Sequence, residues 1–114
     1  MKNTSFVYAL LAGAIVFGAA DPAAAGTVEE NRDQLLKTRS CPSCNLSGVN
    51  LSRAELAGAD LQGADLTNTR FLLANLAGAN LQGAKLRGAK FGGADLAAAD
   101  LRGADLEVST LNGA

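Results

Sequence analysis

Residues 54–68 read Ala54-Glu55-Leu56-Ala57-Gly58, Ala59-Asp60-Leu61-Gln62-Gly63, Ala64-Asp65-Leu66-Thr67-Asn68, and this beat of five decides the fold. Working outward, the beat holds for fourteen consecutive fives, from Cys44 to Gly113, without a slip. The centre of each five is Leu or Phe: Leu46, Leu51, Leu56, Leu61, Leu66, Phe71, Leu76, Leu81, Leu86, Phe91, Leu96, Leu101, Leu106 and Leu111. Two residues earlier the position is small, usually Ala; Cys44, Val49, Thr69 and Ser109 are the exceptions. Between them sits Asp, Asn, Glu, Lys, Arg or Thr.

A helix repeats every 3.6 residues and a strand every two. Leucines five apart advance about 140° per step around a helix and form no apolar stripe. Gly ends nine of the fourteen fives, and each interior Gly disfavours helix by roughly 1 kcal/mol against Ala. A long strand fails as well, because odd spacing sends successive leucines to opposite faces. What remains is a short extended piece, in-out-in over Ala-Asp-Leu, then a two-residue corner where Gly suits a positive φ. Repetition winds such a chain into a solenoid, each coil hydrogen-bonded to the one below.

Tandem alanine-(aspartate or asparagine)-leucine-x-x resembles the pentapeptide repeat family over about three fifths of the chain. The resemblance implies an all-β solenoid, a right-handed quadrilateral β-helix with four fives per coil. Residues twenty apart then stack at about 4.8 Å. Phe71 and Phe91, the aromatics of the repeats, are twenty apart and are expected to stack. The core ladder is expected to be Leu51, Leu56, Leu61, Leu66, Phe71, Leu76, Leu81, Leu86, Phe91 and Leu96.

The full chain has 114 residues, 48% hydrophobic and 4% aromatic, with a formal charge of −1 and neither Trp nor His. One small domain with a thin aliphatic core is expected. Residues 1–25 read as a secretory signal peptide: Lys2 is the basic n-region, Val7 to Phe17 an uncharged h-region, and Ala23-Ala24-Ala25 a cleavage site, with Ala20 the alternative. The competing reading is a membrane anchor, but the apolar run falls short of the roughly 20 residues a span needs.

Residues 26–43 read as a capping helix and a C-x-x-C junction, before the repeats of 44–114. Thr27 to Arg39 forms the helix. Thr27 and Glu30 make a capping box, and Glu29, Glu30, Lys37 and Arg39 suit the helix dipole. Val28, Leu35 and Leu36 are expected on its buried side. So short a helix is marginal alone, and the first coil offers it a surface.

Cys41-Pro42-Ser43-Cys44 admits a redox pair, half a zinc site or a plain disulfide. Zinc wants four ligands, and the chain has two Cys and no His. A thioredoxin-like pair opens a helix after a strand; this one follows a helix. After export two such cysteines pair, so a Cys41–Cys44 disulfide clasp is expected. A leader, a short helix, C-P-x-C and then repeats also resemble small secreted or lumenal cyanobacterial members of the family. That resemblance implies the thylakoid lumen or the periplasm.

In the outward columns Asp65, Lys85 and Asp105 alternate in sign, and Asn75 and Asn80 separate like charges. This pattern reads as a solvated surface arranged for stability. Arg70 over Lys90 breaks it and makes one side mildly basic.

A non-enzymatic structural or protein-interaction module is therefore expected. There is no His, and carboxylates on a convex surface offer no catalytic constellation, so no catalytic, metal or cofactor-binding residue and no cofactor is expected. Two alternatives are a thiol-disulfide redox protein using Cys41 and Cys44, and the DNA-mimic, topoisomerase-binding role of some family members. Mimicking a polyanion needs a strong single-sign field, whereas the repeats hold seven acids and six bases. No nucleic acid partner is expected, and no membrane after signal cleavage. The candidate interaction end is Leu101, Leu106 and Leu111, through which a protein partner or a second copy would dock.

Overall fold

The computed structural model describes residues 26–114. The leader expected over 1–25, with its cleavage points after Ala20 or Ala25, lies outside the described residues.

Helix α1 spans Val28–Thr38. Both halves of the capping box are made: Glu30 N–H donates to Thr27 Oγ1 at 3.1 Å, and Thr27 N–H to Glu30 Oε1 at 3.0 Å. Arg39 turns left-handed at φ 57° and closes the helix by donating its N–H to the Leu35 carbonyl. The Arg39 carbonyl then accepts from Asp60 N–H at 2.8 Å, so the helix leads straight into the repeats.

From there the chain pairs with itself every twenty residues. Parallel bridges join Ser40 to Asp60, Asn45 to Asp65, Asn50 to Arg70, and so on up to Lys90 with Thr110. Four fives thus complete one coil. Phe71 and Phe91 stack, ring centroids 5.0 Å apart and planes 6° apart. Among the described residues the pairing is by isolated bridges, not by the continuous strands of a sheet. The reason is the repeat length: two residues of every five belong to a corner, which leaves no room for a longer run.

One five shows how the backbone is satisfied. Asn75 N–H donates down to the Ala54 carbonyl, and Leu76 and Gly78 donate up to those of Asp95 and Ala97. Ala79 N–H closes the corner onto the Leu76 carbonyl at 3.0 Å. The remaining donor, Ala77 N–H, goes to the Asn75 side chain, Oδ1, at 3.0 Å. All five N–H groups find partners, as a packed backbone requires. Gly78 sits at φ 71°, the third position of a corner that demands positive φ. Ser43, Arg53, Asn68, Leu73, Ala98 and Val108 hold the same conformation with side chains, which is disfavoured for L-residues.

The core is the stack of central residues with the small position beside it. Leu46, Leu51, Leu56, Leu61, Leu66, Phe71, Leu76, Leu81, Leu86 and Phe91 are buried, with Ala59, Ala64, Ala74, Ala79, Ala84, Ala89 and Ala94 between them. Thr69 is buried too, its hydroxyl donating to the Leu46 carbonyl at 2.8 Å. Leu96 departs from the expected ladder. It is only partly buried, because no coil of the described residues lies above it.

Helix α1 covers the other end of this stack. Leu35 is buried and Val28 packs partly against the core, as expected, but Leu36 is 47% exposed. Asn31 takes the expected place of Leu36. It shares a face with Val28 and Leu35 through spacings of three and four, and it is buried.

Candidate functional site

Three places on this frame could meet a ligand or partner: the cysteine corner, the last coil and one side face. The sequence points to residues in each.

The cysteine corner keeps the beat of the repeats although neither Cys looks like a repeat residue. Cys41 stands where Leu61 stands one coil later, and Cys44 where Ala64 stands. Pro42 and Ser43 form the corner, with Ser43 at φ 60°. Cys44 N–H donates to the Cys41 carbonyl at 3.3 Å, as at every other corner. Pro fits the second position of such a turn, and it carries no N–H for Ser40 to satisfy. The Cα atoms are 5.5 Å apart and the two sulfurs lie at disulfide-bonding separation. Both cysteines are fully buried, and Cys41 Sγ lies 3.6 Å from the Asn31 carbonyl oxygen, under α1.

At this end α1 also answers carbonyls that point away from the next coil. Asn31 Nδ2 donates to the Asn45 carbonyl at 3.0 Å, and Gln34 Nε2 and Thr38 Oγ1 to that of Ser40 at 3.0 and 3.1 Å. The helical pattern alone hides this, because the partners are backbone groups of a coil not yet built.

The last coil has no such cover among the described residues. Leu96, Leu101 and Leu106 are partly buried and Leu111 is 44% exposed. The N–H groups of Leu96, Ala98, Leu101, Gly103, Leu106, Val108, Leu111 and Gly113 take no acceptor among these residues. Their counterparts one coil earlier all donate upward, as Leu76, Gly78 and Leu81 do. A shallow recess of about 610 Å³ opens here beside Ala94, Leu96 and Gly113. The structure thus brings Leu101, Leu106 and Leu111 together with Leu96 in one layer.

Around the sides, the outward Asp and Asn residues have a role that the charge pattern did not reveal. At nine corners their Oδ1 accepts the N–H two residues on: Asn45, Asn50, Asp60, Asp65, Asn75, Asn80, Asp95, Asp100 and Asp105. These are Asx turns, and they supply the one backbone bond the coils cannot. Charge pairing is secondary. Arg87 meets Glu107 at 2.8 Å, and Asn75 Nδ2 donates to Glu55 Oε1 at 3.1 Å. The Arg102 guanidinium hydrogen-bonded to Asp100, helped by the Arg102 N–H and the Gln82 amide, holds that carboxyl well below the usual carboxylate range.

Among the described residues no three His, Cys, Asp or Glu side chains converge. None of the described helices is long and apolar enough to cross a membrane.

The family model described as pentapeptide repeats matches residues 43–72 and 74–113, in eight copies. Similar solved structures come from cyanobacteria. A pentapeptide repeat protein of Nostoc PCC 7120 is 32% identical, over 68% of this chain and 74% of its own, with a TM-score of 0.42. The pentapeptide repeat protein Rfr23 of Cyanothece 51142 is 25% identical, over 76% and 93%, with a TM-score of 0.30. HetL, a pentapeptide repeat protein of Nostoc PCC 7120 involved in heterocyst differentiation regulation, is 32% identical over 66% of this chain and 42% of its own, TM-score 0.23. No curated protein matches. On the family match, which covers more than half of its length, the chain belongs to the pentapeptide repeat family.

Proposed function

We propose that this pentapeptide repeat protein is a non-enzymatic interaction module whose last coil is the surface that meets a protein. Pentapeptide repeat proteins are in general structural modules rather than enzymes. The full reading is a right-handed quadrilateral β-helix over 44–114, capped by α1 and the junction of 26–43. Residues 1–25 are read as a leader directing it to the thylakoid lumen or periplasm. The observation that carries the interaction reading is the layer of Leu96, Leu101, Leu106 and Leu111, with its row of N–H groups that take no acceptor among the described residues. A β rim whose donors are free among the described residues, beside apolar side chains, invites a further strand from another chain or a second copy.

Cys41 and Cys44 are a structural disulfide on this reading. Both are buried beneath α1, whereas exchange needs an attacking thiolate to reach the sulfur. Closing so short a loop contributes about 2 kcal/mol in the chain-entropy account. Non-reducing mass analysis of the exported protein reads the bond as a loss of two hydrogens and locates the leader's cleavage site.

The test of the module is Leu106→Lys with Leu111→Lys, compared with the unaltered 114-residue chain by sedimentation and by pull-down from the native compartment. Self-association or partner recovery that the double variant loses supports the reading. A wild type that stays monomeric and recovers the same proteins as the variant overturns it.

A further inference from the structure

The side face built from residues 50–53, 70–73, 90–93 and 110–113 differs from the rest of the surface in three independent respects. The first is charge. It carries Arg53, Arg70 and Lys90 and no acid. All three cations are exposed, and no ion pair of the described residues involves them.

The second is the backbone. Arg70 and Lys90 stand at the outward position that Asp or Asn fills at nine corners, and neither can accept an N–H. Thr110 follows in the same column. The N–H groups of Leu72, Gly92 and Asn112 take no acceptor among the described residues; Ala57, after Glu55, and Arg87, after Lys85, share this singly, and only on this face does it recur in successive coils. The three recur one coil apart, about 4.8 Å, along one line of the face.

The third is shape and apolar surface. Leu72 is 40% and Leu73 54% exposed, and Leu73 holds a left-handed φ of 61°. Both lean onto the coil above, where glycines leave room. A Cβ on Gly92 would come within 3.1 Å of Leu72 Cδ2, and one on Gly93 within 2.7 Å of Leu73 Cδ2. Gly93 is needed for its φ of 69°, but Gly92 has no positive φ to explain it; its use is to make space for Leu72.

At nine corners of this molecule a carboxylate or carboxamide oxygen fills the position that is vacant here. We propose that this face binds an acidic, leucine-containing peptide segment of a partner protein. The segment's carboxylates accept from the Leu72 and Gly92 N–H groups in the manner of the missing Asx oxygens. Arg53, Arg70 and Lys90 neutralise them, and the segment's apolar side chains lie on Leu72 and Leu73. Charge-assisted bonds to paired donors are the stronger class. The proposal rests on the module reading but not on the end layer of the last coil, since its two carboxylate contacts, the Leu72 and Gly92 N–H groups, lie in earlier coils.

The test is a titration of the 114-residue chain with a synthetic peptide of alternating aspartate-aspartate-leucine, followed by backbone amide shifts. Saturable shifts centred on Leu72, Gly92 and Asn112, with Ala77 and Gln82 little changed, are expected. The double variant Arg70→Asn with Lys90→Asn restores the two internal Asx bonds. It should fold with a thermal midpoint no lower than the wild type and bind about tenfold or more weakly, the loss of one or two charge-assisted bonds. Arg70→Lys should keep the binding. Leu101→Lys with Leu106→Lys, in the last coil but on other sides, should leave it unchanged, which separates this face from the end reading. The proposal fails if the shifts do not saturate, if the Asn variant binds equally, or if an all-asparagine peptide binds as well. It also fails if phosphatidylglycerol vesicles, but not the peptide, protect these amides.

Discussion

Among the described residues the two ends of the repeat stack are built from the same five-residue unit and stand in opposite states. At the first coil, α1 supplies Leu35 as a lid, and Asn31, Gln34 and Thr38 as donors to carbonyls that face away from the stack. At the last coil, the equivalent layer of leucines is only partly covered and eight N–H groups lack acceptors among the described residues. The difference teaches where the stability of such a stack resides. Each coil answers the groups its neighbour points at it, so the bonds between interior coils are made, and an end is answered only when something else meets its backbone.

The contrast is broken most strongly by removing equivalent leucines. Leu76 is fully buried between Leu56 and Leu96 of the same column, and Leu76→Ala should cost about 2–5 kcal/mol in chemical unfolding. Leu111→Ala, at a side chain already 44% exposed, should cost under about 1 kcal/mol. Equal costs would erase the distinction between interior and end. Next in size is the cover itself. Asn31→Ala leaves the Asn45 carbonyl under α1 without its donor and should cost about 1–3 kcal/mol. A matching loss of helical circular dichroism at lower denaturant would show α1 detaching before the stack.

The twenty-residue register was legible because its signal is redundant. Fourteen Leu or Phe centres repeat one decision, and nine Gly mark the corner. The capping box was legible because it is local, three residues long. Asn31 was not: a polar residue on a helix reads as solvated until the coil carbonyl that it meets is in place. Leu36 erred for the complementary reason, since an apolar side chain on a narrow helix carries no label for which side has a neighbour. The Asx bonds were hidden behind charge. Asp65, Lys85 and Asp105 do alternate, but the N–H that Asp65 and Asp105 accept exists as a need only once the corner geometry is known. Arg70 over Lys90 stood out as a charge anomaly; the missing acceptor beneath it did not. Cys41 and Pro42 keep the beat without a Leu or Ala to announce it.

Smaller effects sharpen the comparison at single corners. Val108 holds φ 52° with its side chain 75% exposed, in the open coil. A β-branched residue is disfavoured there by about 1–2 kcal/mol, and Gly returns part of that as unfolded-state entropy. Val108→Gly should therefore raise stability by up to about 1 kcal/mol in the same unfolding assay. Smallest of all is the effect of acid at Asp100. Its depressed folded-state pKa means the contribution is present above the unfolded value, about 3.9, and fades as pH falls through the folded one. Thermal midpoints of Asp100→Asn and wild type should converge below about pH 4, the more so in high salt, because Arg102 is largely exposed.

Residue-resolved hydrogen exchange across protein concentration tests the central claim most directly. In dilute solution the N–H groups of Leu56, Leu61, Leu66 and Leu76 should be strongly protected, and those of Leu96, Leu101, Leu106 and Leu111 should exchange like open chain. On raising the concentration, or adding a partner that docks on the last coil, the second set alone should gain protection. Protection of the second set already in dilute monomer would contradict the open-end account, as would its remaining unprotected under every condition in which the protein associates.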